Sequence, residues 1–305
     1  MRWFAGAGSL ALLVLLGVLL RGGLAAAPAS DRDVTAGQAL YTRNCATCHG
    51  PAATGDGESA AGFATKPADL TDGRLMNQLP DAFLVAVIMD GGPAMGLAPT
   101  MPPFRGNLND GQARQIVAFL RTLAQPAFRP ELAKPLVTPA RAPVQPIFFN
   151  HVIHAGSFQI PCQYCHADAR RGVAAGVPSV QRCMGCHAII GAQDNPEIRK
   201  IHDYWKRREP IPWIRVFAMP EFTYFPHKPH VRAGVECQTC HGPIERMPRV
   251  GADNLGPSIA TDLLNLVRPR PIVRPFTMGW CIDCHREQNA KKGTQAPLDC
   301  VTCHH

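Results

Sequence analysis

Every cysteine in this chain belongs to one five-residue pattern. The twelve cysteines form six copies of Cys-x-x-Cys-His: Cys45-Ala-Thr-Cys48-His49, Cys162-Gln-Tyr-Cys165-His166, Cys183-Met-Gly-Cys186-His187, Cys237-Gln-Thr-Cys240-His241, Cys281-Ile-Asp-Cys284-His285 and Cys300-Val-Thr-Cys303-His304. Two thiols separated by two residues can add to the two vinyl groups of a haem, and the histidine that follows then lies under the iron as its proximal ligand. A disulfide framework gives no reason for a histidine after every second cysteine. Zinc ribbons pair Cys-x-x-Cys units without needing that histidine, and a thioredoxin-like redox motif occurs once per domain. Histidine fills only 12 of 305 positions, so its recurrence after all six pairs is not chance. The pattern implies six covalently bound haem c groups.

Composition adds limits. With 46% hydrophobic and 18% charged residues the chain is neither disordered nor fibrous, and 305 residues favour two domains over one. The 29 prolines and 27 glycines work against long uninterrupted elements, so a mostly α chain with much irregular structure is expected. A formal net charge of +8 could suggest nucleic acid. The propionates of six haems offset it, however, and nucleic-acid binding is not expected. At the N-terminus, residues 3–20 form an uncharged apolar run between Arg2 and Arg21, followed by Ala27-Pro28-Ala29. The length lies between a cleaved signal peptide and a membrane anchor, so residues 1–29 are expected to be one or the other, with export of the rest in either case.

The motifs are unevenly spread. Residues 31–125 hold one and residues 147–305 hold five. Between them, residues 126–146 carry six prolines at a spacing that forbids helix and favours an extended, semi-rigid linker. In the first domain, helical patterns cover 34–44 and 81–89. Asn109-Asp-Gly-Gln112 reads as a capping box for a last helix with Ile116, Leu120 and Leu123 on its apolar face. No histidine lies between His49 and His151, so a methionine is the expected sixth ligand of the first haem. Met76, Met89, Met95 and Met101 are the candidates. Met101 sits in the irregular Thr-Met-Pro-Pro-Phe loop before the last helix, whereas Met89 and Met95 read better as core. The domain resembles class I cytochromes c, whose Met-Pro element before the C-terminal helix carries the ligand, and the resemblance implies Met101.

The second domain contains a duplication. Phe148-Phe-Asn-His151-Val-Ile-His154 precedes the Cys162 motif as Tyr224-Phe-Pro-His227-Lys-Pro-His230 precedes the Cys237 motif, and each unit then adds a further motif, at Cys183 and at Cys281. Two extra histidines and two haems per unit is the stoichiometry of bis-histidine ligation, with His151, His154, His227 and His230 as distal ligands. The arrangement resembles class III, c3/c7-type multihaem cytochromes, which use the same Phe-x-His-x-x-His element. The sixth ligand at Cys300–His304 is less constrained. His305 is too close to the proximal ligand to reach the opposite face. His202, on a helix spanning 196–208, reads as packing. Met219, Met247 and Met278 remain, with Met278 preferred, and an open iron is the alternative.

Other segments are more distinctive. They are Gly176-Val-Pro-Ser-Val-Gln-Arg-Cys-Met-Gly-Cys-His187, Pro210-Ile-Pro-Trp-Ile-Arg-Val216, Val235-Glu-Cys-Gln-Thr-Cys-His-Gly-Pro243 and Thr277-Met-Gly-Trp-Cys-Ile-Asp-Cys-His-Arg-Glu287. Together they make residues 147–305 similar to the pentahaem cytochrome subunit of alternative complex III, a bacterial quinol:electron-acceptor oxidoreductase. The resemblance implies an electron-transfer subunit on the periplasmic side of the inner membrane, with no catalytic residues of its own. It implies membrane quinol-oxidising subunits and an iron–sulfur subunit as partners, and a small periplasmic acceptor or terminal oxidase downstream. Two features depart from the family: the fused monohaem domain, which reads as a tethered exit carrier of raised effective concentration, and an insertion over 254–271. The other function classes are a freestanding periplasmic carrier and a multihaem reductase acting at an open Cys300–His304 haem.

Overall fold

A computed structural model describes residues 29–139, 141–189, 193, 195–252 and 275–304. The apolar run 3–20, the insertion 254–271 and His305 lie outside the described residues. Among those described, no helix is long and apolar enough to cross a membrane. Among the described residues, helices and turns account for the structure, and pairing between extended segments is limited to two isolated bridges, Asp72 with Gln125 and Thr223 with His304.

The N-terminal unit is built from α1 (Asp31–Asn44), α2 (Ala46–His49), α3 (Gly73–Met76), α4 (Asp81–Asp90) and α5 (Asp110–Leu123). Ser30 caps α1 by accepting from the Asp33 amide, and Asp31 and Asp33 place negative charge at its positive end. The expected capping box on α5 is formed in both directions, Gln112 N–H to Asn109 at 2.9 Å and Asn109 N–H to Gln112 at 3.0 Å. Helices α1 and α5 cross in backbone contact at Gly37. A Cβ there would stand 1.9 Å from the Gln115 carbonyl oxygen, so only glycine fits. Tyr41, Phe83, Ile116 and Val117 fill the centre. The Tyr41 hydroxyl donates to the Gly50 carbonyl at 2.6 Å and so ties α1 to the turn after His49. Arg121, buried on α5, donates to the Met76 and Leu79 carbonyls and to Asp81, holding the α3–α4 corner.

The C-terminal unit is looser. Its helices are α6 (Cys162–Cys165), α7 (Val180–His187), α8 (Pro196–Arg207), α9 (His227–Arg232), α10 (Cys237–His241) and α11 (Met278–Lys292). Four of them carry a Cys-x-x-Cys pair, and a second buried cluster is small: Ile147, Val180, Ile201 and Ile211. The proline-rich segment is helix-free, as its sequence predicts, but it is pinned to both units. Asn77 donates to the Pro126 and Ala127 carbonyls, at 3.2 and 3.0 Å. Further on, Val137 N–H donates to the Arg246 carbonyl at 2.8 Å and the Arg246 guanidinium to the Pro135 carbonyl at 2.6 Å.

Candidate haem sites

Each motif winds into a helical turn. The histidine amide donates to the carbonyl of the first cysteine at 2.9 Å in His49, His166 and His304 alike. Residues three apart share a helix face, so both thiols project to one side with the imidazole beside them. All twelve cysteines are free thiols. Burial pushes the Cys45 thiol up to about 11, with Cys48 adding to it, and the Cys240 thiol to about 11, with Cys284 and Cys281 adding to it. Among the described residues no group of three or more His, Cys, Asp or Glu side chains converges, which is not the donor set of a zinc ribbon.

The imidazoles come instead in facing pairs. His154 and His187 have ring centroids 6.1 Å apart, His227 and His241 6.3 Å, and His230 and His285 6.0 Å. With metal–imidazole bonds of about 2 Å and roughly another 1 Å from nitrogen to ring centre, two axial imidazoles on one iron stand about 6 Å apart. The three gaps therefore fit an iron held between two rings. His151 is buried as well, which pushes it down to about 4, with His166 and then His154 adding to the shift.

The ring nitrogens are sorted accordingly. Nδ1 meets a backbone carbonyl in His49 (Ala68, 3.4 Å), His166 (Gly176, 2.7 Å), His285 (Pro297, 2.6 Å) and His304 (Phe222, 3.3 Å). The same holds for His154 (Asn150, 3.0 Å), His227 (Val173, 2.6 Å) and His230 (Pro226, 2.8 Å). A proton held on Nδ1 leaves Nε2 as the free lone pair that a metal takes. Burial lowers the pKa of His49, His154 and His230, and pushes His241 down to about 4 with His227 and His166 contributing, so these rings are neutral at pH 7. His202 is the contrast. Its Nε2 meets the His187 carbonyl at 2.9 Å, so it braces the α7–α8 contact.

The duplication has a shared geometry. Phe149 stacks on His154 at 4.3 Å and meets His151 edge-on at 4.7 Å, while Phe225 lies against His230 at 4.5 Å and meets His227 edge-on at 5.1 Å. One difference stands out: His227 is oriented by Val173, a residue of the first copy.

Thiols of different motifs raise one another's pKa. The Cys183 thiol is raised by burial and then by Cys165, and the Cys165 thiol by burial with a contribution from Cys186. The Cys162 thiol is raised by burial and then by Cys237, and the Cys281 thiol by burial and then by Cys303. Cys240 in turn feels Cys284 and Cys281, so thiols of different motifs act on one another throughout the C-terminal unit.

Methionine placement is mixed. Met76, Met89 and Met95 are buried in the N-terminal core. Met101 is half-buried in its own loop, its carbonyl accepting from Gly92 N–H at 2.9 Å. Met278 opens α11 with its side chain 70% exposed, on the helix whose Cys281 neighbours Cys303. The ring against His304 is Phe222, at 5.9 Å. Asn150 and Asn195 are buried between the two units, and no spacing or motif marks their reach across the interface, although Asn195 also caps α8.

A mostly helical chain with repeated Cys-x-x-Cys-His turns and facing imidazole pairs defines a multihaem c-type cytochrome, an electron-transfer protein. Comparison with known families matches two separate stretches of the chain. Residues 32–120 match the family described as cytochrome C oxidase, cbb3-type, subunit III, and residues 223–305 match cytochrome c7 and related cytochrome c. A class I cytochrome c domain is thus followed by a cytochrome c7-like multihaem domain, and both imply covalently bound haem c. No curated protein matches the sequence. Among solved structures, the reducing HAO-like protein complex of Kuenenia stuttgartiensis is similar at 21% identity, over 45% of this chain and 67% of that one. Its TM-score of 0.27 is too low to carry an argument.

Proposed function

We propose that the chain is a hexahaem electron-transfer subunit of a quinol-oxidising complex similar to alternative complex III. It would carry electrons between bis-histidine haems in the C-terminal unit and a His49/Met101 haem in the N-terminal unit, and on to a periplasmic acceptor or terminal oxidase. The observation that carries this reading is the set of three imidazole pairs with ring centroids 6.0–6.3 Å apart. When bound, the haems supply a one-electron couple, tuned by axial ligand and burial. The chain's own residues attach them through paired thiols and fix each ring through Nδ1. His151 and His154, one helical turn apart, serve the irons at Cys162 and Cys183. His227 and His230 do the same for those at Cys237 and Cys281. An exported chain, held at the membrane by residues 1–29 or by its partners, completes the proposal.

Electron paramagnetic resonance of the air-oxidised holoprotein, with haem quantified alongside, tests it. Six haems per chain are expected, low-spin throughout. Near-parallel imidazoles (His227 and His241, 1° apart) should give a rhombic signal, and the strongly inclined pair (His154 and His187, 65°) a highly anisotropic one. A high-spin ferric signal amounting to one haem would instead favour the reductase alternative at His304, the site whose ring neighbour among the described residues is Phe222.

A further inference from the structure

Two buried asparagines join the two units. Asn150 and Asn195 are each 3% exposed. Both divide their amide in the same way. The oxygen accepts a backbone N–H of its own turn, Val152 at 2.9 Å for Asn150 and Glu197 at 2.8 Å for Asn195. The NH2 reaches across to the N-terminal unit and donates to consecutive carbonyls, Met95 at 2.9 Å and Gly96 at 2.9 Å.

The surroundings leave little play. Gly96, at φ +71°, lies so close to Phe148 that a Cβ would stand 2.6 Å from the ring. Phe148 donates its N–H to Glu197 at 2.7 Å, and its ring lies 4.1 Å beneath the Arg249 guanidinium. Val152, two residues from Asn150, is 2% exposed and belongs to the apolar core of the N-terminal unit. A tethered shuttle would need a contact that opens readily. This one buries polar groups whose partners lie on the other side.

The same loop carries Met101, and a run of hydrogen bonds crosses the contact from it. Gly92 N–H donates to the Met101 carbonyl at 2.9 Å, and Met95 N–H to the Gly92 carbonyl at 3.0 Å. Asn150 donates to the Met95 carbonyl, and the Asn150 carbonyl accepts from His154 Nδ1 at 3.0 Å. His154 faces His187, the histidine of the Cys183 motif, at 6.1 Å between ring centroids.

We propose that Asn150 and Asn195 are positioning residues that seat the monohaem unit in one fixed orientation, making the Met95–Asn150–His154 bridge the junction for electron exchange with the Cys183–His187 site. This rests on the electron-transfer reading above and specifies it: the fused domain is docked, and its exchange site is the second motif of the C-terminal unit rather than the first.

The test uses the full-length holoprotein carrying Asn150→Asp, Asn195→Asp or both. A carboxylate keeps the local acceptor, and aspartate is as good a helix cap as asparagine, but it cannot donate to Met95 or Gly96. Three readouts apply: electron equilibration between the His/Met and bis-histidine haems after pulse radiolysis, amide hydrogen exchange over 92–97, and the highly anisotropic resonance of the His154–His187 site. The native protein should equilibrate in a concentration-independent phase. The double variant should do so about ten-fold more slowly or worse, with lost protection at 92–97 and a shifted resonance, because a docked contact has become a tethered encounter. Gly96→Ala should reproduce the slowing without altering either asparagine. Native-like rates and protection in all variants would overturn the junction and leave the electron-transfer reading standing. Absence of any intramolecular equilibration in the native protein would overturn both.

Discussion

The two units solve the same problem, holding haem, with opposite means. In the N-terminal unit one motif sits beside a core of which Tyr41, Phe83, Ile116 and Val117 are the centre, and helices α1 and α5 touch backbone to backbone at Gly37. In the C-terminal unit five motifs share a buried cluster of four aliphatic residues, Ile147, Val180, Ile201 and Ile211, among the described residues. A cluster of that size cannot offset the conformational entropy of so long a segment. The C-terminal fold must draw its stability from ligation and from packing against the groups it binds, as small metal-dependent domains do. The N-terminal fold has a core of its own to fall back on.

The largest expected effect separates the units directly. Produced in a host that cannot attach haem, the chain should lose protease resistance throughout 147–304 while the α1–α5 pair stays compact. Comparable resistance in both units would erase the distinction. Next, on the electron-transfer reading proposed above, His154→Ala should convert one haem to a high-spin signal by removing one ring of the His154–His187 pair, leaving the rhombic resonance of the near-parallel pair intact. In the N-terminal unit, Ile116→Ala should cost ~2–5 kcal/mol in denaturant unfolding of that unit. The bis-histidine spectrum, followed in the same titration, should not move. Arg121→Met removes charged hydrogen bonds to the Met76 and Leu79 carbonyls and should cost about 1.5–3 kcal/mol. Smallest, Asn109→Ala should cost about 1 kcal/mol through the lost α5 cap, read as a lower melting temperature of the N-terminal unit.

What the sequence reveals follows the same division. Local features are legible: the Cys-x-x-Cys-His turns, the Asn109–Gln112 box and the paired His-x-x-His segments all act within a few residues, where side-chain chemistry and spacing decide the outcome. Long-range features are not. Contacts between the two copies, such as His227 N–H donating to the Val173 carbonyl at 2.9 Å, are stated by nothing in the spacing. The proline-rich segment reads correctly as helix-free, but composition says nothing of the Asn77 and Arg246 contacts that pin it. Asn150 stands where the second copy has Pro226, and only the facing carbonyl of Met95 gives that difference meaning.

The bond from His227 to the Val173 carbonyl has a consequence for how the duplicated unit has aged. A histidine in the second copy takes its tautomer and its aim from a loop of the first, so the second copy alone does not carry a complete set of instructions for its own rings. The repeat persists as a sequence pattern but has ceased to be an interchangeable part. Transplanting the second copy alone would deliver a histidine with no fixed bearing.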